Sequence, residues 1–496
     1  MFVSYFGWGL LFSRVLGINL SSLVSLFPIV WLGWAFSLVF FSLLHLFFPL
    51  NAYISGIFFT LGIVFLFSSS WKRYLSNILT LKNPSALSVL YIVCLLLISC
   101  WIASKSMNTP MAYDSGLYHF NSIRWLNEYP IIPGLGNLHG RLAFNQTFFV
   151  YVASLNFYPF FNHGYNLANS FLLLLVTAEC LQCLVKYFSY IVQGRKISSE
   201  IIAAIFCLPT LLYIAVIRNL GTDLSSPTPD IASSILQIII FLLFVRILTE
   251  SLLGRKSNSY TRLFVILSAT AVSIKLSNIF YVFIASLISV SLQIITPPVD
   301  LKKIPKKILP FFLFLSFILS LWMIRGILSS GCPLYPSTFM CIDTEWSVPL
   351  KKVQGMESII YSWARQPRQP WNTVLGNWNW LNPWMERMLL KKIQFIYPLG
   401  ITSILGCFST FLFFLPGTVK NRKNYIMLFI LLVPPIAGLL FWFFMAPDIR
   451  FAGALFFILP IAVSIPLLST LKKMPNKIKH IAISFLFLFI NSHFIH

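Results

Sequence analysis

A carboxylate and several bases interrupt an apolar chain in the stretch AYDSGLYHFNSIRWLNEYPIIPGLGNLHGRLAFN, residues 112–145. Asp114 opens it, His119 follows, and His139 and Arg141 close it. Two chemistries are open to Asp114. At the head of a helix a carboxylate caps free backbone N–H groups. At the mouth of a membrane-facing cavity it serves as a general base, provided burial raises its pKa toward the working pH. Asp230, in SSPTPDIASS ahead of a long apolar run, has the same two readings, and they are compatible because a cap fixes the side chain. Four cations elsewhere stand at the ends of apolar runs: Arg218, Lys275, Arg325 and Arg450. Arg218 either snorkels to headgroups or holds a phosphate. Lys275, in TAVSIKLSNIF, is costly between two short apolar helices unless it reaches water or an anion, which favours anion binding. Arg450 adjoins Asp448 in APDIRFAGALFF, so an ion pair competes with a ligand role, and Arg325 in LWMIRGILSSGCPLYP makes a similar case.

The elements that carry these residues follow from composition. The 496 residues are 58% hydrophobic and 10% charged, with a mean hydropathy of +0.82. Soluble domains carry roughly 25% charged residues, and a spanning helix takes about 20 apolar ones. The chain therefore reads as an all-α polytopic membrane protein. Its first 20 residues lack a basic start and a small-residue cleavage site, so no removed signal peptide is expected. Apolar runs predict about 14 transmembrane helices near 3–20, 24–48, 53–70, 86–104, 165–187, 200–217, 231–249, 262–274, 277–296, 307–327, 392–415, 425–445, 451–469 and 481–495.

The net charge of +23 would suggest nucleic acid in a soluble protein. Here the basic residues sit in short loops: Lys72/Arg73/Lys82, Lys186/Arg195/Lys196, Arg255/Lys256/Arg262, Lys302/Lys303/Lys306/Lys307, Lys420/Arg422/Lys423 and Lys472/Lys473/Lys477/Lys479. Such loops mark the cytoplasmic side, and 14 crossings put all six there. The same solution makes Phe148–Phe161 dip into the membrane or lie along it rather than cross. It also makes 262–274 and 277–296 a tight hairpin with Lys275 at its outer tip. Of the 13 acids, Asp114, Glu128, Asp223, Asp230, Asp343, Glu345, Glu357, Glu386 and Asp448 fall in predicted outer loops, so the polar chemistry is expected to face outward. After Asp114, apolar Leu117, Phe120, Ile123 and Leu126 recur every three residues, with Ser115, His119, Ser122 and Glu128 toward other faces. That pattern predicts a short interfacial helix.

An outer-loop Asp, an interfacial helix and FNQTFFVYVASLNFY, then PTPDIASSILQIIIFLLF and SATAVSIKLSNIF, resemble in order and spacing the C-type glycosyltransferase (GT-C) superfamily of lipid-phosphosugar-dependent membrane enzymes. The likeness covers roughly 101–296, and, closer still, YDSGLYH with GLGNLHGRLAFN, GCPLYPS and DIRFAGALF resemble a family of largely uncharacterised bacterial multipass proteins. The resemblance implies transfer of a sugar from a polyprenyl-phosphate carrier to a cell-envelope acceptor on the outer side of a bacterial inner membrane. It implies Asp114 and Asp230 as catalytic acids, and His119, Arg141, Lys275 and Arg218 as ligands for the lipid phosphate; Arg325 and Arg450 stand as further substrate-binding candidates from their own places at the ends of apolar runs. Relatives commonly carry adjacent acids in the first loop. Here Asp114 is followed by Ser115, so no metal site is assigned and no cofactor is expected beyond the lipid-linked donor. The implied parts are N-terminal membrane helices (1–85), a GT-C-like core (86–327) with its first outer loop (105–164), a large outer loop (328–391) and C-terminal membrane helices (392–496).

Two other classes compete. A saccharide transporter would show pseudo-symmetric halves and mid-membrane polar residues, and neither is evident. A polysaccharide polymerase or ligase would also use a large outer loop such as 328–391. Within that loop Cys332 and Cys341 bracket PLYPSTFM and are expected to pair in an oxidising compartment. The other six cysteines lie in apolar runs and read as small core residues. Trp363, Trp371, Trp378, Trp380 and Trp384 read either as an interfacial belt or as a platform for sugar stacking with Arg365 and Arg368 nearby.

Overall fold

The structure is a computed structural model, and it describes residues 1–18, 26–67, 86–218, 222–296, 304–414, 426, 429–470 and 476–491. Among these residues the chain is helical and contains no strand, only two isolated bridges. Eight helices are long and apolar enough to cross a membrane: Phe27–Leu44, Ala86–Ser106, Gly164–Val192, Ser199–Val216, Pro229–Leu252, Leu276–Ile295, Phe312–Ser330 and Lys392–Phe411. In hydrocarbon every backbone polar group has to be satisfied within its own segment, which leaves the helix as the form for such sequences. The chain is thus a membrane-embedded multipass protein. The remaining predicted runs are helical too, but Phe2–Val15, Ala52–Val64, Asn258–Ile274, Val433–Met445, Leu455–Thr470 and Asn476–Asn491 have 13 to 17 residues. At 1.5 Å per residue such helices fall short of the ~30 Å hydrocarbon layer. Of the basic clusters, Lys72/Arg73/Lys82, Lys302/Lys303, Lys420/Arg422/Lys423 and Lys472/Lys473 lie outside the described residues.

Pro229–Leu252 is the central helix. It is apolar on every side, nearly all of it is buried, and it packs against Gly164–Val192, Ser199–Val216 and Asn258–Ile274. Its start is fixed by Thr228, whose hydroxyl accepts from Asp230 N, with Pro229 in the first turn. Asn258–Ile274 and Ile279–Ile295 form the expected hairpin, joined through Lys275 and a turn at Leu276–Asn278. Near the N-terminus, Phe2–Val15 and Phe27–Leu44 cross with their backbones in direct approach, since a Cβ on Gly33 would collide with the Tyr5 carbonyl.

The two long connections are ordered and pack on one another. Residues 115–128 form a π-turn, Ser115–His119, followed by an α-helix, Phe120–Glu128. Its buried face holds Ser115, His119 and Ser122 together with Tyr118, Ile123 and Leu126, so the three polar residues turn inward rather than toward water. Phe148–Phe161 does not cross: Thr147–Ala153 is a seven-residue helix with every residue buried in protein, and Phe157 and Phe161 then bridge to close a turn. In the second connection the structure joins Cys332 to Cys341 and folds Leu350–Arg365, Trp371–Val374 and Leu381–Leu389 as helices. The connections meet where Ala143, Cys332, Tyr335, Val348 and Val353 form one small core. Gly134 N also donates to Leu328 O at 2.8 Å, and Trp322 Nε1 to Asn145 O at 2.7 Å.

Candidate functional site

Asp114 stands where four parts of the chain converge. The backbone just ahead of it is held by Asp223, whose buried carboxylate accepts from Met111 N at 2.8 Å, Ala112 N at 2.7 Å, and the Ser225 and Ser226 hydroxyls at 2.6 and 2.7 Å. Asp223 thereby ties the first connection to the one preceding Pro229–Leu252. Asp114 makes no side-chain cap to its helix. Its Oδ1 accepts from Arg141 Nη1 at 2.5 Å and its Oδ2 from Arg450 Nη1 at 2.8 Å. Arg141 comes from the turn Gly140–Ala143 and lies over the Tyr118 ring. Arg450 comes from Ile449–Ala452, whose cap is Asp448, accepting from Arg450 N at 3.2 Å. The neighbouring acid is therefore spent on backbone, and the guanidinium is free to reach across the fold.

A second pair lies alongside. Lys275 donates to Asp230 Oδ1 and, at 3.4 Å, to the carbonyl of Arg450. Both Lys275 and Arg450 lie over the Phe451 ring. Asp230 therefore serves an ion pair, while capping is done by Thr228. The lysine and aspartate are buried, whereas the side chains of Arg141 and Arg450 keep 28% and 26% of their surface open, so an anion arriving from solvent meets the guanidinium groups first.

The electrostatics follow from this crowding. Burial pushes the Asp114 carboxyl up, but Arg450 and Arg141 outweigh it and hold the group below its ordinary value. Burial lowers Arg450, yet Asp230, Asp448 and Asp114 together raise it above its ordinary value. His119 is pushed down to about 4, chiefly by burial, so its ring is neutral at physiological pH and is no cation for a phosphate. It bonds Ser115 Oγ at 3.3 Å through Nδ1 and packs on Phe149 and Tyr118.

Polar residues that the sequence reading passed over hold these cations in place. Asn278 donates to Ala271 O and exchanges bonds with Ser233, and its Oδ1 accepts from Gln237 Nε2 at 2.9 Å. Gln237 in turn accepts from Ala454 N at 2.6 Å. Gly453, at φ +60° and ψ −127°, sits so close to Gln237 Oε1 that a Cβ has no room. This network clamps the Lys275 hairpin tip and the Arg450 segment to the central helix. Its signal was visible as Gln and Asn within otherwise apolar runs.

Two predicted binding residues are placed elsewhere. Arg325 is buried against the end of Phe27–Leu44, where it donates to Ser42 O at 3.2 Å and bonds His45 Nδ1 at 3.0 Å. Arg218 is exposed and donates to Thr109 O at 3.1 Å. Neither touches Asp114 or Asp230. Among the described residues no group of three or more His, Cys, Asp or Glu is gathered as metal ligands would be.

A family model described as Domain of unknown function (DUF8201) matches residues 1–457. No curated protein and no solved structure matches the chain.

Proposed function

For a chain that belongs to the DUF8201 family, whose description names no activity, we propose a glycosyltransferase of GT-C type that moves a sugar from a polyprenyl-phosphate donor to a cell-envelope acceptor. The observation that carries this reading is the sharing of one carboxylate between Arg141 and Arg450. Two guanidinium groups brought from distant parts of the chain, with Lys275 beside them, match the oxygens of a phosphate monoester or diester.

In the resting site Asp114 occupies the place of that anion. Its lowered pKa makes it a poor base while both arginines hold it. A donor phosphate that takes over the arginines releases the carboxylate. Asp114 then accepts the proton of the acceptor hydroxyl as that oxygen attacks the anomeric carbon. The bond from that carbon to the phosphate oxygen breaks, and the polyprenyl phosphate leaves with the electron pair, its charge balanced by Arg141, Arg450 and Lys275. Asp230 keeps Lys275 charged and in register. The reading places this chemistry on the outer face of a bacterial inner membrane.

The test is transfer from a panel of polyprenyl-phosphate sugars by the purified wild type and Asp114→Asn. A loss of about 10²–10⁴-fold in turnover is expected for the variant, the usual worth of a general base. Equal turnover by both proteins removes Asp114 from the mechanism.

A further inference from the structure

A second polar site lies in the 328–391 connection. Arg365, Asn377, Trp378, Trp380, Phe443 and Phe444 line a cleft of about 240 Å³. Trp380 is buried and Trp378 is stacked on it at 5.6 Å and 26°, with 59% of Trp378 exposed. Arg365 is seated by its donations to Phe444 O at 2.6 Å and Tyr361 O at 3.3 Å, and it lies over the Trp380 and Tyr361 rings. Arg387 fixes the helix end that presents it, donating to Ala364 O at 2.5 Å. Arg365 pairs with no carboxylate among the described residues.

A tryptophan that only anchors the chain at a lipid interface needs neither a cleft nor a fixed, uncompensated cation beside it. A flat ring that stays more than half exposed, as Trp378 does beside Trp380 and Phe443, takes the C–H face of a pyranose, while a guanidinium takes a carboxylate or phosphate. The volume is below the ~300–1,000 Å³ typical of drug-sized ligands, which suits one sugar ring. The cleft is also joined to the Asp114 site. Trp384 Nε1 donates to Pro447 O and Trp442 Nε1 to Asp448 O, both at 2.6 Å, so the aromatic cluster bears on the segment that presents Arg450.

We propose that this cleft binds an anionic saccharide unit, a uronate or sugar phosphate, with Trp378 as the stacking ring and Arg365 as the counter-charge. Its service as the acceptor subsite rests on the transfer reaction proposed above; the binding itself does not.

The test is saturation-transfer NMR on the purified full-length protein in detergent. The ligands are glucuronate, galacturonate and glucose 1-phosphate, with glucose and inorganic phosphate as controls. At least one anionic saccharide is expected to bind saturably and in preference to both controls. Arg365→Gln is expected to weaken it tenfold or more and Trp378→Ala to abolish it. Trp378 is exposed, so its variant remains decisive if Arg365→Gln fails to fold. No saturable binding by any anionic saccharide, or binding indifferent to Trp378→Ala, overturns the proposal and leaves Trp378 as an interfacial anchor. Transfer that depends on Asp114 with no such binding sinks this site alone, and binding without transfer sinks the reaction alone.

Discussion

Asp114 has both carboxylate oxygens on cations, and the histidine next to it has none of its charge. His119 faces Ser115, Phe149 and Tyr118, with Asp114, Asp230, Arg450 and Arg141 within electrostatic reach. Burial holds its folded pKa at about 4 against an ordinary 6.5. Between those values the unfolded chain binds a proton that the folded chain refuses, so stability falls as pH drops from 6.5 toward 4. The full span is worth about 3 kcal/mol at ~1.4 kcal/mol per pKa unit. His45, pushed down to about 2 by burial and then Arg325, adds its own slope over the same window. Melting temperatures of the detergent-solubilised protein at about pH 7 and about pH 5 are expected to differ more in wild type than in His119→Gln. Equal differences in the two proteins count against a neutral, buried His119. The Asp114 pairs work the other way. A lowered carboxylate contributes stability above its unfolded pKa of 3.8 and loses it only as pH falls through the still lower folded value. Wild-type loss between neutral pH and about pH 5 is therefore not theirs.

At the scale of elements, the site depends on short segments that contribute little burial of their own. Ile449–Ala452 is four residues long and carries Arg450. It is fixed by Asp448 at one end and by Gly453 at the other, where φ +60° with ψ −127° suits glycine and Gln237 Oε1 leaves no space for a side chain. Gly453→Ala is expected to destabilise the protein by about 1–3 kcal/mol through backbone strain and to break the Gln237–Ala454 bond. It should then move Arg450 off Asp114, so that the transfer proposed above is lost even under conditions where the variant stays folded. A melting temperature and turnover both like wild type would show that the turn tolerates a Cβ. The sequence made the long elements legible because apolar period and length are local properties: every predicted run contains a helix, and the Lys275 hairpin follows from one cation between two apolar stretches. It misassigned the buried face of 115–128, since a π-turn shifts the register of the helix that follows and carries Ser115, His119 and Ser122 inward. It left a cap open at both Asp114 and Asp230, whereas Asp114 makes none and Thr228 does the capping ahead of the central helix, because the competing partners, Arg141, Arg450 and Lys275, are distant in the chain. Arg246, inside the central helix, went unremarked. It pairs with Glu200 at 3.1 Å over the Tyr260 ring, toward the opposite end of the helix from Asp230.

For the whole molecule, the legible feature among the described residues is the separation of the Asp114 cluster from the basic loop at Arg255. Asp114, Asp230, Lys275, Arg141 and Arg450 gather at one end of the central helix, while Glu250 and Arg255 mark its other end. What sequence alone does not fix is how many helices cross, because helices of 13 to 17 residues are apolar enough to pass for spans yet too short to reach both faces unaided. Orientation is open to direct measurement. If the Asp114 end faces outward, the 328–391 connection shares that side, since it packs on residues 134–145 and its Cys332–Cys341 bond belongs to an oxidising compartment. A cysteine at the exposed Gln369 is then expected to react with a membrane-impermeant maleimide in intact cells. One at Arg195, in the turn after Gly164–Val192, should react only after permeabilisation. The unsubstituted protein supplies the background from exposed Cys100 and Cys407, which lie in apolar helices. The reverse pattern would put Asp114 on the cytoplasmic side, where a polyprenyl-phosphate donor presented outside cannot reach it. Labelling of both positions in intact cells would show that Asn258–Ile274, the one short apolar helix described between them, does not cross, or that the chain inserts in two orientations.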